Sequence, residues 1–312
     1  SKAVEIRELI IRCVSQFILA RVANVKSGWK SMFMVFTAAA ADENRQLVAL
    51  AFSTIEKIVR EYFSHVTETE TSTFTDCVNC LIAFANSSLS DVSLNAIAFL
   101  RFCALKLAEG ELGELEAPSP HQAEEANVGG SEREGRGAGP RDEAKIVRKA
   151  SRSSAIVFTD QDVHLYFWFP LLAGLSELTF DTRQEIRHTS LGVLFDILDY
   201  HGSTFTIDFW VRIFNSILFP IFDQVRMECT EITTFVPEDQ RPKADAWLYE
   251  TSKNCLHKVI DLFVKFYGDL RPLLPNLVDF VCGFVRRNHE NLAAMGVEAL
   301  RRILGEIGTD AQ

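Results

Sequence analysis

Apolar side chains recur every three or four positions along most of this chain, which is the spacing of one face of an α-helix. Proline, which interrupts helices, is absent before Pro118. No stretch alternates apolar and polar residues between tight hairpin turns, as the strands of an antiparallel sheet would. The sequence therefore predicts an all-α fold.

Residues 1–108 are predicted to form a first helical block. We expect Gly28 to separate two helices with a left-handed turn, because glycine adopts positive φ readily. We also expect Asp91 to cap the last helix of the block. The apolar positions that mark the helices fall within 6–18, 29–36, 47–62, 74–85 and 94–105.

A change of composition separates this block from the rest of the chain. Residues 109–154 contain no aromatic side chain but hold 7 of the 16 glycines and 3 of the 9 prolines. Such a segment cannot bury enough apolar surface to offset the entropy of ordering it, so we predict a disordered linker. Within it, Arg148-Lys-Ala-Ser151 matches a basic-directed kinase site, which makes Ser151 a candidate phosphorylation site.

Residues 155–312 are predicted to form a second helical block in the same style. Pro170 is expected to kink its first helix, and Asp181 is expected to cap the second. Helix pairs that recur at about 40–60 residues predict an α-solenoid of degenerate HEAT- or armadillo-like repeats. The predicted helices cover 163–178, 181–198, 205–225, 245–267, 270–287 and 289–306, with a polar loop at about 227–244.

Charge and cysteine content exclude several classes of protein. A net charge of −10 argues against tight non-specific binding to nucleic acid, which requires clustered Lys and Arg. Seven cysteines without regular spacing indicate free thiols in a reducing compartment, the cytosol. No uncharged run reaches the roughly 20 residues of a membrane span, and we expect no signal peptide. Because Ser1 already lies inside a helical pattern, we expect the chain to be a piece of a longer protein.

The sequence shows no motif for catalysis, a metal or a cofactor. Cys77-x-x-Cys80 lacks a second ligand pair at zinc spacing, so we interpret both thiols as small apolar fillers rather than as a metal or redox site. Asp196 and Asp199 are interpreted as a solvated helix face. The aromatic run 166–169 is interpreted mainly as core, with a membrane-surface wedge as the alternative.

Several long strings resemble one protein family. Asn24-Val-Lys-Ser-Gly-Trp-Lys30 is similar to part of the first homology block downstream of the catalytic domain in the large brefeldin-A-inhibited Arf guanine-nucleotide exchange factors. Tyr166-Phe-Trp-Phe-Pro170-Leu-Leu-Ala-Gly-Leu-Ser-Glu-Leu178, followed by Asp181-x-Arg-x-Glu-Ile-Arg187, resembles the second block. These strings are most similar to those of plant-type members, and the resemblance covers nearly the whole chain outside the predicted linker.

The resemblance implies a parent protein that loads GTP onto the small GTPase Arf in vesicle-mediated transport at trans-Golgi or endosomal membranes. Exchange in that family is performed by a separate upstream domain, so no catalytic residue and no cofactor transfers to this chain. The segment is then expected to be a non-catalytic regulatory scaffold of a cytosolic protein that binds membranes peripherally. The implied partners are activated Arf, other domains of the same exchange factor, the membrane, and a second copy contacted through the rest of the parent protein.

Two interpretations are open for Lys26, Trp29 and Lys30. In the structural one, Gly28 forms the turn and Trp29 anchors the next helix in the core. In the functional one, Lys26 and Lys30 flank a partner or lipid contact. For the whole chain, the alternative function is a generic HEAT-repeat adaptor without Arf involvement. An enzyme would need a polar constellation in a cleft, and the sequence shows none.

Overall fold

A computed structural model describes residues 3–67, 71–110, 164–222, 241–286 and 290–309. Within these ranges every element of secondary structure is a helix, so the all-α prediction is confirmed. All but the first two residues of the predicted linker at 109–154, with Ser151, and most of the predicted loop at 227–244 lie outside the described residues. The helices are α1 Val4–Arg21, α2 Trp29–Ala40, α3 Arg45–Glu61, α4 Phe63–Thr67, α5 Thr71–Ala85, α6 Ser90–Ala108, α7 Phe169–Glu177, α8 Gln184–His201, α9 Ile207–Ile213, α10 Arg241–Lys265, α11 Tyr267–Leu270, α12 Leu274–Val285 and α13 Glu290–Thr309.

The helices form two rows. One row contains α1, α3, α6, α8, α10 and α13, each packed against the next. The other row contains α2, α5, α7, α9 and α12. Its contact with α12 is made by the chain just after α9, where Phe219 stacks on Phe280 of α12 with ring centroids 4.3 Å apart. Successive helices alternate between the rows, as in a solenoid of helical repeats. The predicted α-solenoid is therefore confirmed.

The helices before residue 111 pack directly against those after residue 163. α5 contacts α7, and α6 contacts α8. Phe74 meets Phe167 edge to face at 5.4 Å, and the Thr75 hydroxyl donates a hydrogen bond to the Tyr166 carbonyl at 3.0 Å. The two rows thus continue across this join, with one hydrophobic core running through it.

Two π-helical turns stand immediately ahead of prolines in the second row. His164–Trp168 precedes α7, whose second residue is Pro170, and Phe214–Leu218 follows α9 and leads to Pro220. Proline lacks an N–H donor and its ring collides with the carbonyl four residues earlier in an α-helix. A wider turn ahead of the proline lets the helix continue without that collision. The kink predicted at Pro170 is thus a local change of helix type.

The aromatic run 166–169 is mainly core, as predicted. Phe167 and Trp168 are buried, whereas Tyr166 is 52% exposed. Trp168 and Phe205 meet edge to face at 5.2 Å. In the same layer the Trp210 indole N–H donates to the Gly202 carbonyl at 3.2 Å. Its polar atom is therefore satisfied inside an apolar cluster.

Both predicted aspartate caps are wrong in position. α6 begins at Ser90 after Leu89, so Asp91 lies inside the first turn, where its charge favours the helix N-terminus. α8 begins after Arg183, and the Asp181 carboxylate accepts the backbone N–H of Arg183 at 2.8 Å, ahead of the helix. A short polar side chain often prefers such a turn to a cap. The Arg183 guanidinium, bound to the same carboxylate, holds the pKa of Asp181 below its usual value.

Candidate functional site

The connection between α1 and α2 is a tight corner built from two turns of 3₁₀-helix, Val22–Asn24 and Lys26–Gly28. Gly28 is right-handed, with φ −70° and ψ −17°, and its N–H donates to the Val25 carbonyl at 2.8 Å. The predicted left-handed turn at Gly28 is therefore wrong. The left-handed residue is Lys26, with φ 42°, a backbone conformation that residues other than glycine rarely adopt.

Trp29 opens α2 and points into the core. It is 1% exposed, and its ring stacks on Phe33 with centroids 5.7 Å apart. The structural interpretation of Trp29 as a helix anchor is confirmed. Its ring is covered by the core and cannot itself touch a partner in this conformation, so Lys26 and Lys30 are the exposed residues of the predicted trio.

The exposed side of α2 continues beyond the two lysines. Met34 lies one turn after Lys30 and is 65% exposed. The sequence analysis did not single it out, because a methionine beside Met32 and Phe33 resembles one more core residue. Its position four residues after an exposed lysine is the signal that places it on the outer face.

The first helix exposes an apolar stripe. Ile11 and Ile18 are buried against the neighbouring helices, while Ile6, Leu9, Ile10 and Phe17 are between 44% and 61% exposed. These four share one side of α1, because they are spaced by three, four and seven residues. A contiguous exposed stripe of large apolar side chains marks an interaction surface more often than an ordinary solvent face. The helical period predicts this helix, but it does not distinguish the stripe from the core face.

A small apolar cavity of about 200 Å³ lies where α1 meets α2. Its walls include Ile10, Ile11 and Val35. An ion pair between Arg7 and Asp42 stands at its edge, with 2.7 Å between Nε and the carboxylate. The backbone N–H of Asn44, helped by Arg7, lowers the pKa of Asp42 below its usual value. We call the apolar stripe, this cavity and the exposed residues Lys26, Lys30 and Met34 the α1–α2 surface.

The cysteines predicted as fillers are buried. Cys77 and Cys80 lie inside α5, and burial raises the pKa of Cys80. A hydrogen bond with Cys103 and burial raise the pKa of Cys77 well above its usual value. Thiols held in the neutral form are poor nucleophiles and metal ligands. Within the described ranges no group of three His, Cys, Asp or Glu side chains could hold a metal ion.

Of the remaining residues singled out in the sequence, Asp196 and Asp199 lie on α8, and Ser151 lies outside the described residues. Asp196 and Asp199 are half-exposed, as a solvated face would be, but they also form ion pairs with neighbouring helices. Asp196 lies 3.3 Å from Arg101 of α6, and Asp199 lies 2.7 Å from Lys265 of α10. No helix among the described residues combines the length and apolar character needed to cross a membrane.

Two family models match the chain. Residues 1–57 match the model described as Mon2/Sec7/BIG1-like, HDS, and residues 168–309 match the GBF1-like tetratrico peptide repeat region. The first match contains α1, α2 and the corner between them, so the α1–α2 surface lies in the HDS match.

Whole-chain comparison finds relatives of much greater length. Brefeldin A-inhibited guanine nucleotide-exchange protein 2 of Arabidopsis thaliana is 48% identical over 98% of this chain and 17% of its own length. Protein 4 of the same plant is 40% identical over 100% of this chain, again across 17% of its own length. Protein 1 of Homo sapiens is 28% identical over 96% of this chain and 14% of its own. The chain thus spans about a sixth of the plant relatives, and over that shared segment it belongs to the family of brefeldin A-inhibited guanine nucleotide-exchange proteins, in its plant-type form.

Proposed function

We propose that this chain is a non-catalytic regulatory segment of an Arf guanine-nucleotide exchange factor, located downstream of the catalytic domain. It brings the parent protein to membranes that carry activated Arf. The observation that carries the proposal is the α1–α2 surface, which combines an exposed apolar stripe on α1 with two exposed lysines, Lys26 in the corner and Lys30 at the start of α2. It lies in the segment shared with the exchange proteins.

The chemistry of this surface suits a protein bound to a membrane. Apolar side chains supply most of the free energy of association, and the lysines add attraction to acidic groups on a partner or an anionic leaflet. Recruitment of this kind would place the parent protein peripherally on trans-Golgi or endosomal membranes, in exchange with the cytosol. Positive feedback follows, because Arf activated by the parent would draw more of it to the same membrane.

Flotation of liposomes tests the proposal directly. The purified chain is mixed with liposomes that carry lipidated Arf in the GTP form, in the GDP form, or no Arf. We expect the chain to float only with the GTP form. Flotation in none of these conditions, with the helical content intact, would reject recruitment by Arf and leave packing against other domains of the parent as the function of the surface.

Two sets of variants locate the contact. Reversing the charge at Lys26 and Lys30 should reduce flotation, whereas the same reversal at Arg45 and Lys57, two exposed cations of α3, should not. Leu9→Gln should also reduce it, and Leu304→Gln, at a 72% exposed site on α13, is the matched control. Equal loss in test and control variants would place the contact elsewhere.

The generic adaptor without Arf involvement receives no specific support. Degenerate repeats would account for the two rows of helices, but not for 40–48% identity to four plant exchange proteins across nearly the whole chain. In the flotation experiment the adaptor predicts the same result with either nucleotide.

A further inference from the structure

Within the described chain, α12 and α13 are the last helices of the two rows. Further back in each row, a helix packs between the one before it and the one after it. The terminal repeat of a free-standing solenoid carries a polar outer face instead, because no further repeat covers it. The character of the outer side of α12 and α13 therefore indicates whether this pair is built as an end or as an internal repeat.

Contacts fix two sides of α13. Met295, Ala299 and Ile303 are buried, so the side that carries them faces the core. The Glu298 carboxylate lies 3.5 Å from Lys253 of α10, which marks the side that faces the preceding helix of the row. Successive residues of an α-helix are rotated by about 100°, so the rest of α13 can be assigned to a side from these two positions.

The side of α13 turned away from α10 is apolar. Leu304 is 72% exposed and Val297 is 37% exposed, and the half-buried Leu300 lies between them. The three residues are spaced by three and four positions, so they form one stripe along the helix. They lie about 100–160° round the helix from Glu298, on the side where a next helix of the row would pack. A single exposed leucine is ordinary on a protein surface, but a stripe of this kind marks a contact.

The neighbouring helix α12 shows the same arrangement. Its Phe280 stacks on Phe219 from the preceding part of the row, which marks the side of α12 that is already covered. Val278 and Cys282 lie about 160° round the helix from Phe280, and both are half-buried. Both rows therefore present apolar side chains, rather than a polar cap, on the side away from the preceding helix.

We propose that α12 and α13 form an internal repeat surface, which is covered by a further pair of amphipathic helices of the parent protein. One helix of that pair would stack on α12 and the other on α13, as α10 stacks on α8. The plant relatives hold more than four-fifths of their length outside the shared segment, so they contain enough chain for such a pair. The inference concerns the opposite end of the rows from the α1–α2 surface and does not depend on recruitment by Arf.

The rate of thiol labelling at an introduced cysteine tests the proposal. Leu304→Cys is made in this chain and in the parent protein, and mass spectrometry follows labelling at that position. We expect labelling to be at least about tenfold slower in the parent protein, because a covered thiol reacts only when the contact opens. Gly305→Cys is the control, since a Cβ there meets no atom within 4 Å and points about 100° away from Leu304. Equal rates for Leu304→Cys in the two proteins, or equal slowing of Gly305→Cys, would overturn the proposal.

A second variant ties the protection to the stripe. In the parent protein that carries Val297→Cys, adding Leu304→Glu should restore fast labelling, because an unpaired charge opposes burial in the contact. In the isolated chain the same change should alter neither the labelling rate nor the helical content, since Leu304 is exposed there. Protection of Leu304→Cys in the isolated chain that grows with its concentration would identify a second copy as the occupant and overturn the proposal. Flotation with Arf is measured separately, so either proposal can fail alone.

Discussion

At the scale of single residues, Lys26 holds a backbone conformation that costs an L-residue with a side chain about 1 kcal/mol or more. Its φ of 42° reverses the chain between α1 and α2, so that Trp29 enters the core while the Lys26 side chain stays exposed. Strain of this kind persists where the surrounding packing determines it, and it often accompanies a functional position. Lys26 is also one of the two exposed lysines of the α1–α2 surface.

Replacing Lys26 with glycine should stabilise the fold. Glycine removes the steric cost of positive φ in the folded state. This gain exceeds the loss from the greater flexibility that glycine gives the unfolded chain, so we expect the free energy of unfolding to rise by about 0.5–1 kcal/mol. Denaturation in urea measures the change. Ser27→Gly, at an exposed neighbour outside the left-handed region, should lose stability instead. A loss in Lys26→Gly as large as that in Ser27→Gly would show that no strain is stored at Lys26.

Asp42 should make stability depend on pH in the acid range. Its pKa is lowered in the folded chain by the Asn44 N–H and by Arg7, so it stabilises the fold at pH values above the unfolded pKa of about 3.9. That stabilisation disappears as pH falls through the lower, folded value. We therefore expect Asp42→Asn to be less stable than the parent chain at pH 7, with the difference shrinking below about pH 4.

Unfolding at several pH values checks this expectation. Glu43→Gln is the control, because Glu43 is an exposed acidic neighbour. The difference in stability between the parent chain and Asp42→Asn could instead stay constant down to pH 3, below the unfolded pKa of about 3.9. That result would show that Asp42 does not cause the pH dependence.

At the scale of elements, the helices could be predicted because apolar residues repeat with the period of the helix, and this repeat is local information. The details that failed depend on the neighbours. Asp181 and Asp91 have the residue type of a cap, but the Asp181 carboxylate accepts the Arg183 N–H ahead of α8, and Asp91 lies inside the first turn of α6. Likewise, Gly28 can adopt positive φ, yet between α1 and α2 the residue with positive φ is Lys26.

The contact between α5 and α7 depends on a glycine. A Cβ added at Gly174 would lie 2.6 Å from Cγ1 of Ile82, so the helices approach too closely for alanine. We expect Gly174→Ala to lose about 1–3 kcal/mol through overpacking. Adding Ile82→Ala should cost less in that background than in the parent chain, because it removes the colliding atoms.

Gly192→Ala provides the comparison for this experiment. Gly192 also lies inside a helix, but its Cβ would meet nothing within 4 Å. Alanine should therefore raise stability there by about 0.5–1 kcal/mol through its higher helix propensity. Additive effects of Gly174→Ala and Ile82→Ala would show that the two sites do not collide.

At the scale of the whole molecule, the join between the helices before residue 111 and those after residue 163 could not be predicted. A composition break indicates where a chain changes character, but it does not reveal which surfaces meet around it. The same limit applies to the sites. Lys26 and Lys30 stood out in the sequence, whereas the exposure of the stripe on α1 depends on which helices are its neighbours.

Two separate polypeptides, residues 1–110 and 164–312, should therefore assemble when expressed together. The join offers the contact of Phe74 with Phe167 and a hydrogen bond of 3.2 Å from Arg183 to the Ser93 hydroxyl. Co-purification through a tag on one polypeptide measures the assembly. Gly174→Ala should weaken it. Two folded polypeptides that elute apart would show that the join needs the covalent connection.

The π turns ahead of Pro170 and Pro220 have a consequence for comparing related sequences. A π turn holds about one residue more than an α turn, so the side chains beyond it are rotated by about 100° relative to those before it. An apolar register counted straight through either proline therefore slips by one position. Single-residue gaps in alignments of this family should collect just ahead of these prolines, where deletion of one residue converts a π turn to an α turn without shortening a loop.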